Sequence, residues 1–241
     1  MKKDNVIAIL RWEADQVPRG LEQLEKITGN STNPKSYPFS VIMREIKGAN
    51  TETVILNPDK KIVERMIDVS KELIEEQGVR AIATSCGFNA VFQKELTEAL
   101  KVPVFTSALL QVPFVQTIIG SNHSVCIVTA NKQSLTGEHL RACGISEHSS
   151  FYIVGLEEIA EWNKIFNAQD QPMNMGILSK QIVSKVAEEV AMHPNTQAIV
   201  LECTDLPPFN RSIMQATGLA VFDFSTMVSH IAAALGIFTL Y

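Results

Sequence analysis

The sequence predicts an α/β protein of two similar lobes, each a parallel sheet flanked by helices, with a cleft between them. Three observations carry this reading. Short, nearly continuous apolar runs alternate with longer amphipathic stretches, as buried parallel strands alternate with crossover helices. The pattern restarts near the middle of the 241 residues. In each half, a strand that follows a long amphipathic helix ends in a small polar cluster holding a cysteine: AIATSC at 81–86 and AIVLEC at 198–203.

Each element has its own warrant. NVIAIL (5–10) is an unbroken apolar run and a first buried strand. Leu21, Leu24 and Ile27 recur at helical spacing and predict a helix over 15–28. GNSTNPKSYP (29–38) is dense in turn formers and reads as a long loop, with Tyr37 expected to be exposed. FSVIMREI (39–46) is a second strand. Over 57–78, Ile62, Met66, Val69, Leu73 and Ile74 share one helical face, and Gly78 is placed to stop the helix. VRAIAT (79–84) is a third strand, FQKELTEAL a helix, and VPVFTS (102–107) a fourth strand. Residues 108–119 are again helical in pattern. SVCIVTAN (124–131) is a strand running into a polar turn, LTGEHLRACG (135–144) a short helix, and SSFYIVGL (149–156) a strand. A long loop or broken helix follows around Asn167 to Met175. Then come an amphipathic helix (177–193), a strand (197–204), the last strand LAVFDF (219–224) and a closing helix (225–236). The lobes are expected to span 1–115 plus 222–241, and 116–221, with the closing helix returning to the first.

Composition narrows the function. With 46% hydrophobic and 20% charged residues the chain can bury a core and is not disordered. A net charge of −5 without a Lys/Arg block argues against nucleic acid as a partner. The four cysteines lack CxxC spacing and the five histidines lack metal-like spacing, so neither a metal site nor a disulfide framework is expected. No phosphate-cradling glycine motif occurs, and no cofactor is expected. The apolar run near the start is interrupted by Arg11, Trp12 and Glu13, unlike a signal peptide. No window of about 18 apolar residues suits a membrane span. The expectation is a cytoplasmic protein with free thiols.

Ligands of parallel α/β sheets bind beyond the carboxyl ends of the strands. Cys86 and Cys203 both sit there, each where a helix begins. Free N–H groups at such a start favour a thiolate or a substrate carboxylate. Two thiols facing across a cleft could take a proton from one face of a carbon and return one to the other. Cys126 lies within a strand and reads as core; Cys143 reads as structural. Arg11, directly after the first strand, either clamps a carboxylate or is a surface residue near the lobe interface. Asn89 either caps the helix after Cys86 or reaches the substrate.

LECTDLPPF (201–209) resembles the second cysteine motif of the aspartate/glutamate racemase superfamily, and ATSCGFNA (83–90) looks like the first. VPVFTSALLQVPF looks like the segment that follows the first motif, and SVCIVTANKQSLT is similar to the strand and turn that open the second lobe. The resemblance implies an active site in the cleft and a racemase or epimerase acting on an amino acid or related small carboxylate, with Cys86 and Cys203 as the acid–base pair. It implies that Thr204 holds the substrate carboxylate and that Asp205 assists the second thiol. Thr129 and Asn131 would contact substrate from the second lobe, and Ser85 with the amides of Gly87 and Phe88 would form an anion cradle. A homodimer is usual among relatives. Gly87-Phe88 replaces the Asn-Thr of the familiar racemases, and Glu202 stands where Gly is common, so aspartate and glutamate themselves are not indicated. Maleate-type isomerases and malonate-type decarboxylases share the fold, and a non-catalytic carboxylate-binding module is a third reading.

Overall fold

A computed structural model of the chain describes residues 6–237. Asn5 and the outer ends of the two first-lobe segments lie outside the described residues. Two four-stranded parallel sheets are present, each flanked by helices, as the alternation of apolar runs predicted. The first contains β1 (Val6–Trp12), β2 (Val41–Ile46), β3 (Val79–Thr84) and β4 (Val104–Phe105) in the order β2-β1-β3-β4. The second contains β5 (Ser124–Thr129), β6 (Phe151–Gly155), β7 (Thr196–Leu201) and β8 (Ala220–Phe222) in the equivalent order β6-β5-β7-β8. The repeat extends to fine detail: the central pair of each sheet carries a register shift at its first residues, Val6/Ile7 in one and Ser124/Val125 in the other.

The helices are α1 (Arg19–Glu25), α2 (Lys60–Gln77), α3 (Gln93–Ala99), α4 (Val112–Ile119), α5 (Gly137–Ala142), α6 (Ala160–Asn167), α7 (Met175–Met192), α8 (Asn210–Thr217) and α9 (Phe224–Ala234). Local chemistry sets several ends. Asp59 accepts from the Lys61 N–H to open α2, and Gly78 closes it in the left-handed region at φ 67°. Asn174 accepts from the Ile177 N–H at the start of α7. The face of the first sheet formed by Ile7, Ile9, Ala81 and Ala83 is covered by Phe224, Met227, Val228 and Ala232 of α9. None of the described helices is long and apolar enough to cross a membrane.

The structure departs from the sequence reading in five places. Pro18 precedes α1, so helix 15–28 shrinks to 19–25 after a short 3-10 turn. Residues 51–56 form a π-helical turn closed by an Asn50–Thr53 capping box. Ahead of the stretch around Asn167 to Met175 read as loop or broken helix, α6 forms because Trp162 and Ile165 share a buried face. α8 was not foreseen. Tyr37 is buried rather than exposed: its hydroxyl donates to the Ser31 carbonyl at 2.6 Å, pinning the 29–38 loop.

Candidate active site

The two thiols occupy equivalent points of the two lobes. In the first, the Ser85 N–H donates to the Leu10 carbonyl of β1 at 2.8 Å, and Cys86 then caps a short 3-10 helix, Gly87–Phe92. In the second, the Glu202 N–H donates to the Val128 carbonyl of β5 at 2.8 Å, and Cys203 follows. Each cysteine is thus delivered past its sheet by the same extra rung to the neighbouring central strand.

Hydrogen bonds join the lobes at this point. The Thr204 hydroxyl donates to the Ser85 carbonyl. The Ser31 N–H donates to the Thr204 carbonyl at 3.3 Å, and Asn30 Nδ2 donates to Asp205 Oδ1 at 2.7 Å. The first lobe's 29–38 loop is therefore fastened to the second lobe's cysteine motif.

A cavity of about 40 Å³ lies between the lobes. One water needs about 10–15 Å³ by this measure, so the space suits a small molecule. Cys86, Cys203, Ser85, Gly87, Phe88, Thr204 and Asp205 all line it. Sequence reasoning missed the remaining wall: Trp12, Val17, Leu21, Glu25, Thr32, Ile55, Ala130, Trp162, Ile165 and Phe166. The spacing of Trp162, Ile165 and Phe166, and of Leu21 with Glu25, was the available signal, since each set shares one helical face.

Four other candidate residues stand apart from that lining. Arg11 pairs with Glu25, Nη2 to Oε2 at 3.3 Å, and lines a neighbouring surface groove with Lys26 and Lys35. Asn131 accepts from the Gln133 and Ser134 N–H groups at 2.9 and 3.1 Å and borders a separate groove. Thr129 is buried and donates to Glu202 Oε2 at 2.7 Å. Asn89 is buried but makes no cap; its Oδ1 has no hydrogen-bond partner in the protein.

Burial dominates the electrostatics. It pushes both Cys86 and Cys203 well above the ordinary thiol range, and nearby carboxyls push them further. For Cys86 the larger carboxyl effect comes from Glu202; for Cys203 it comes from Asp205. Backbone N–H groups oppose this, those of Phe88 and Asn89 at Cys86 and that of Asp205 at Cys203. Burial also raises Glu202 and Asp205 to about 7, against the hydrogen bonds from Thr129 and Asn30 that hold them down. Cys203 Sγ donates to Asp205 Oδ2 at 4.0 Å, so the second thiol has a carboxylate beside it that titrates near neutrality. Cys126 and Cys143 are buried, free and pushed up to about 12, as packing thiols would be. A pair of thiols, one with an adjacent base, around a small cavity is equipped to move a proton to or from carbon.

No protein-family model matches the chain. It is 30% identical over 204 residues to a dimethylsulfoniopropionate lyase from Durusdinium sp. clade D, covering 82% of this chain and 66% of that protein. It is 32% identical over 217 residues to dimethylsulfoniopropionate lyase 7 from Emiliania huxleyi (strain CCMP1516), covering 86% of this chain and 62% of the lyase. The chain therefore spans less than two thirds of the length of these relatives. Among solved structures it is similar to an allantoin racemase from Pseudomonas fluorescens, with a TM-score of 0.64 at 16% identity over 97% of this chain and 93% of the racemase. The two-lobed fold expected from the sequence is that of the racemase-fold proteins.

Proposed function

We propose that this chain belongs to the aspartate/glutamate racemase superfamily and that it is an enzyme that withdraws the proton from the carbon beside a small molecule's carboxylate. The reaction we assign is elimination, on dimethylsulfoniopropionate or a closely related carboxylate with a positively charged leaving group at the next carbon. One observation carries the proton abstraction: a thiol from each lobe opens on one small cavity, and Cys203 has Asp205 beside it. The assignment of elimination rests on the similarity to two lyases over more than four fifths of this chain.

In this reading Asp205 accepts the Cys203 proton, and the thiolate takes the proton from the carbon next to the carboxylate. The C–H electron pair becomes the new carbon–carbon double bond. The C–S bond of the sulfonium breaks at the same time, its electron pair leaving with sulfur as neutral dimethyl sulfide. The products are an unsaturated carboxylate and the sulfide, with the abstracted proton on Cys203. A neutral leaving group needs no protonation, so Cys86 is not required for the chemical step. A second reading, racemisation or epimerisation of an amino acid or related small carboxylate, is favoured by Cys86 itself, which faces the same cavity from the opposite lobe.

The test measures dimethyl sulfide release and, in deuterated water, solvent exchange of the substrate's proton. Cys203→Ala should lower release by about 10²–10⁴-fold, the usual weight of a general base. Cys86→Ala should leave release largely intact under elimination but abolish inversion under racemisation. Full activity in Cys203→Ala would overturn the assignment. Ligand-dependent thermal stabilisation without turnover of any such substrate would mark a binding protein instead.

A further inference from the structure

The thiol cavity has no way in that is written on its own wall. Both thiols are buried, and none of the described residues that line the cavity is basic. An anion has to be drawn to this space from outside it. The adjoining groove is built differently. It encloses about 500 Å³ between α1 and the 29–38 loop, and Arg11, Lys26 and Lys35 all line it. Lys26 and Lys35 have no ion-pair partner among the described residues. Unpaired cations around a concave surface raise the local concentration of anions.

Two residues, Glu25 and Thr32, line both spaces and so form the partition between them. Thr32 is fixed. Its N–H and its hydroxyl both donate to Asn30 Oδ1 at 2.9 Å, and Asn30 in turn donates to Asp205. Glu25 is held from the groove side by Arg11, Nη2 to Oε2 at 3.3 Å. That pair leaves the guanidinium fork half used, because Arg11 Nε is buried and has no hydrogen-bond partner. A carboxylate binds arginine best through two parallel N–H groups, and a buried N–H left unpaired is costly. A small carboxylate that took Nε and Nη2 together would satisfy the fork and release Glu25.

We infer that this groove is the mouth of the thiol cavity and a capture site for small carboxylates, with the Arg11–Glu25 ion pair as its gate. Lys26 and Lys35 gather the anion, and Arg11 exchanges Glu25 for it. The freed Glu25 side chain turns aside, and the molecule passes Thr32 into the cavity. Glu25 then pairs with Arg11 again and closes the partition behind it. A neutral molecule of the same size has nothing to exchange with Glu25 and enters slowly. The inference rests on the carboxylate-bearing substrate proposed above, and not on which reaction follows.

Iodoacetate and iodoacetamide are close in size, and only the first is a carboxylate. Each alkylates a thiolate at sulfur with loss of iodide. Labelling of Cys86 and Cys203, read by mass spectrometry and divided by the rate in the unfolded chain, therefore reports entry. In the unaltered protein the carboxylate should enter about tenfold faster than the amide at low ionic strength. Added salt should shrink that advantage. Cys126 and Cys143 do not line the cavity, and their labelling controls for general unfolding. Arg11→Gln should abolish the advantage, and Lys26→Gln combined with Lys35→Gln should reduce it. Glu25→Gln should speed both reagents and keep the advantage, which a merely structural ion pair would not do. Ala14→Trp, at an exposed position in the groove, should slow both reagents severalfold. Leu56→Trp, in the separate groove that meets the cavity at Ile55, should leave both rates unchanged. Equal entry of the two reagents, no labelling of either thiol, or an advantage that survives Arg11→Gln overturns the inference. So does slowing by Leu56→Trp and not by Ala14→Trp, which would put the mouth at the other groove. Dimethyl sulfide release by the unaltered protein is a separate readout. A carboxylate advantage without release removes the lyase and leaves the gate; release without the advantage does the reverse.

Discussion

Glu202 fills the space that Gly87 leaves open. A Cβ on residue 87 would collide with the Glu202 carboxyl group and with its backbone carbonyl. These are two of the three positions at which the cysteine motifs depart from the familiar racemases, a glycine after the first thiol and a carboxylate before the second; Phe88 is the third. In the folded protein they are one steric exchange. The side chain removed from the first lobe is replaced by one from the second, directly beside both thiols.

Gly87→Ala should therefore destabilise the protein by about 1–3 kcal/mol, the usual cost of forcing extra volume into a packed site. Adding Glu202→Gly should recover part of that loss, because the carboxyl share of the obstruction goes while the backbone carbonyl stays. Denaturant unfolding of the two single variants and the double variant measures the coupling. Strictly additive effects would refute the exchange.

Stability should depend on pH with a definite sign. Glu202 and Asp205 are raised to about 7 in the folded chain, whereas unfolded carboxyls titrate near 4. Between these values the folded state holds protons that the unfolded state has released. Their contribution is complete below about 4 and is lost as pH rises through about 7. His139, lowered to about 4 by burial, opposes this below about 6.5. The window from about 6.5 to 8 is free of that opposition, and there unfolding free energy should fall as pH rises. Glu202→Gln should flatten the slope.

Asn30 tunes the base. Its amide donates to Asp205 at 2.7 Å and holds that carboxyl down against burial. Asn30→Ala should raise Asp205 above about 7, so the acid limb of the activity profile should move to higher pH. An unmoved limb with a merely lower plateau would mean that Asn30 serves only to pack the loop.

Tyr37 holds the same loop from the other side. Tyr37→Phe removes a buried hydroxyl from the Ser31 carbonyl and should cost about 1 kcal/mol. It should also increase protease cleavage within 29–38. An unchanged unfolding midpoint would show that the loop is held by Asn30 and Ser36 alone.

Much of this protein was legible in its residues taken in order. Continuous apolar runs, helical spacing and a glycine stop at 78 are local properties, and they specify two α/β halves without reference to any distant contact. The matched ends AIATSC and AIVLEC likewise announced two thiols beyond two sheets, and Ser85, Gly87, Phe88, Thr204 and Asp205 came with them because they adjoin those thiols in the chain. Only the tertiary structure decided what stands opposite. Trp12, Glu25, Trp162 and Phe166 converge on the cavity from β1, α1 and α6, and helical spacing shows a shared face without showing that it borders a cavity rather than core. Thr129 and Asn131 adjoin a predicted contact turn, yet one is held by Glu202 and the other by the backbone of its own turn. The Gly87–Glu202 exchange was visible as two separate oddities and intelligible only once packing joined them. Periodicity is set by backbone geometry within a few residues, whereas a cavity is what remains after segments far apart in sequence have filled the space around it.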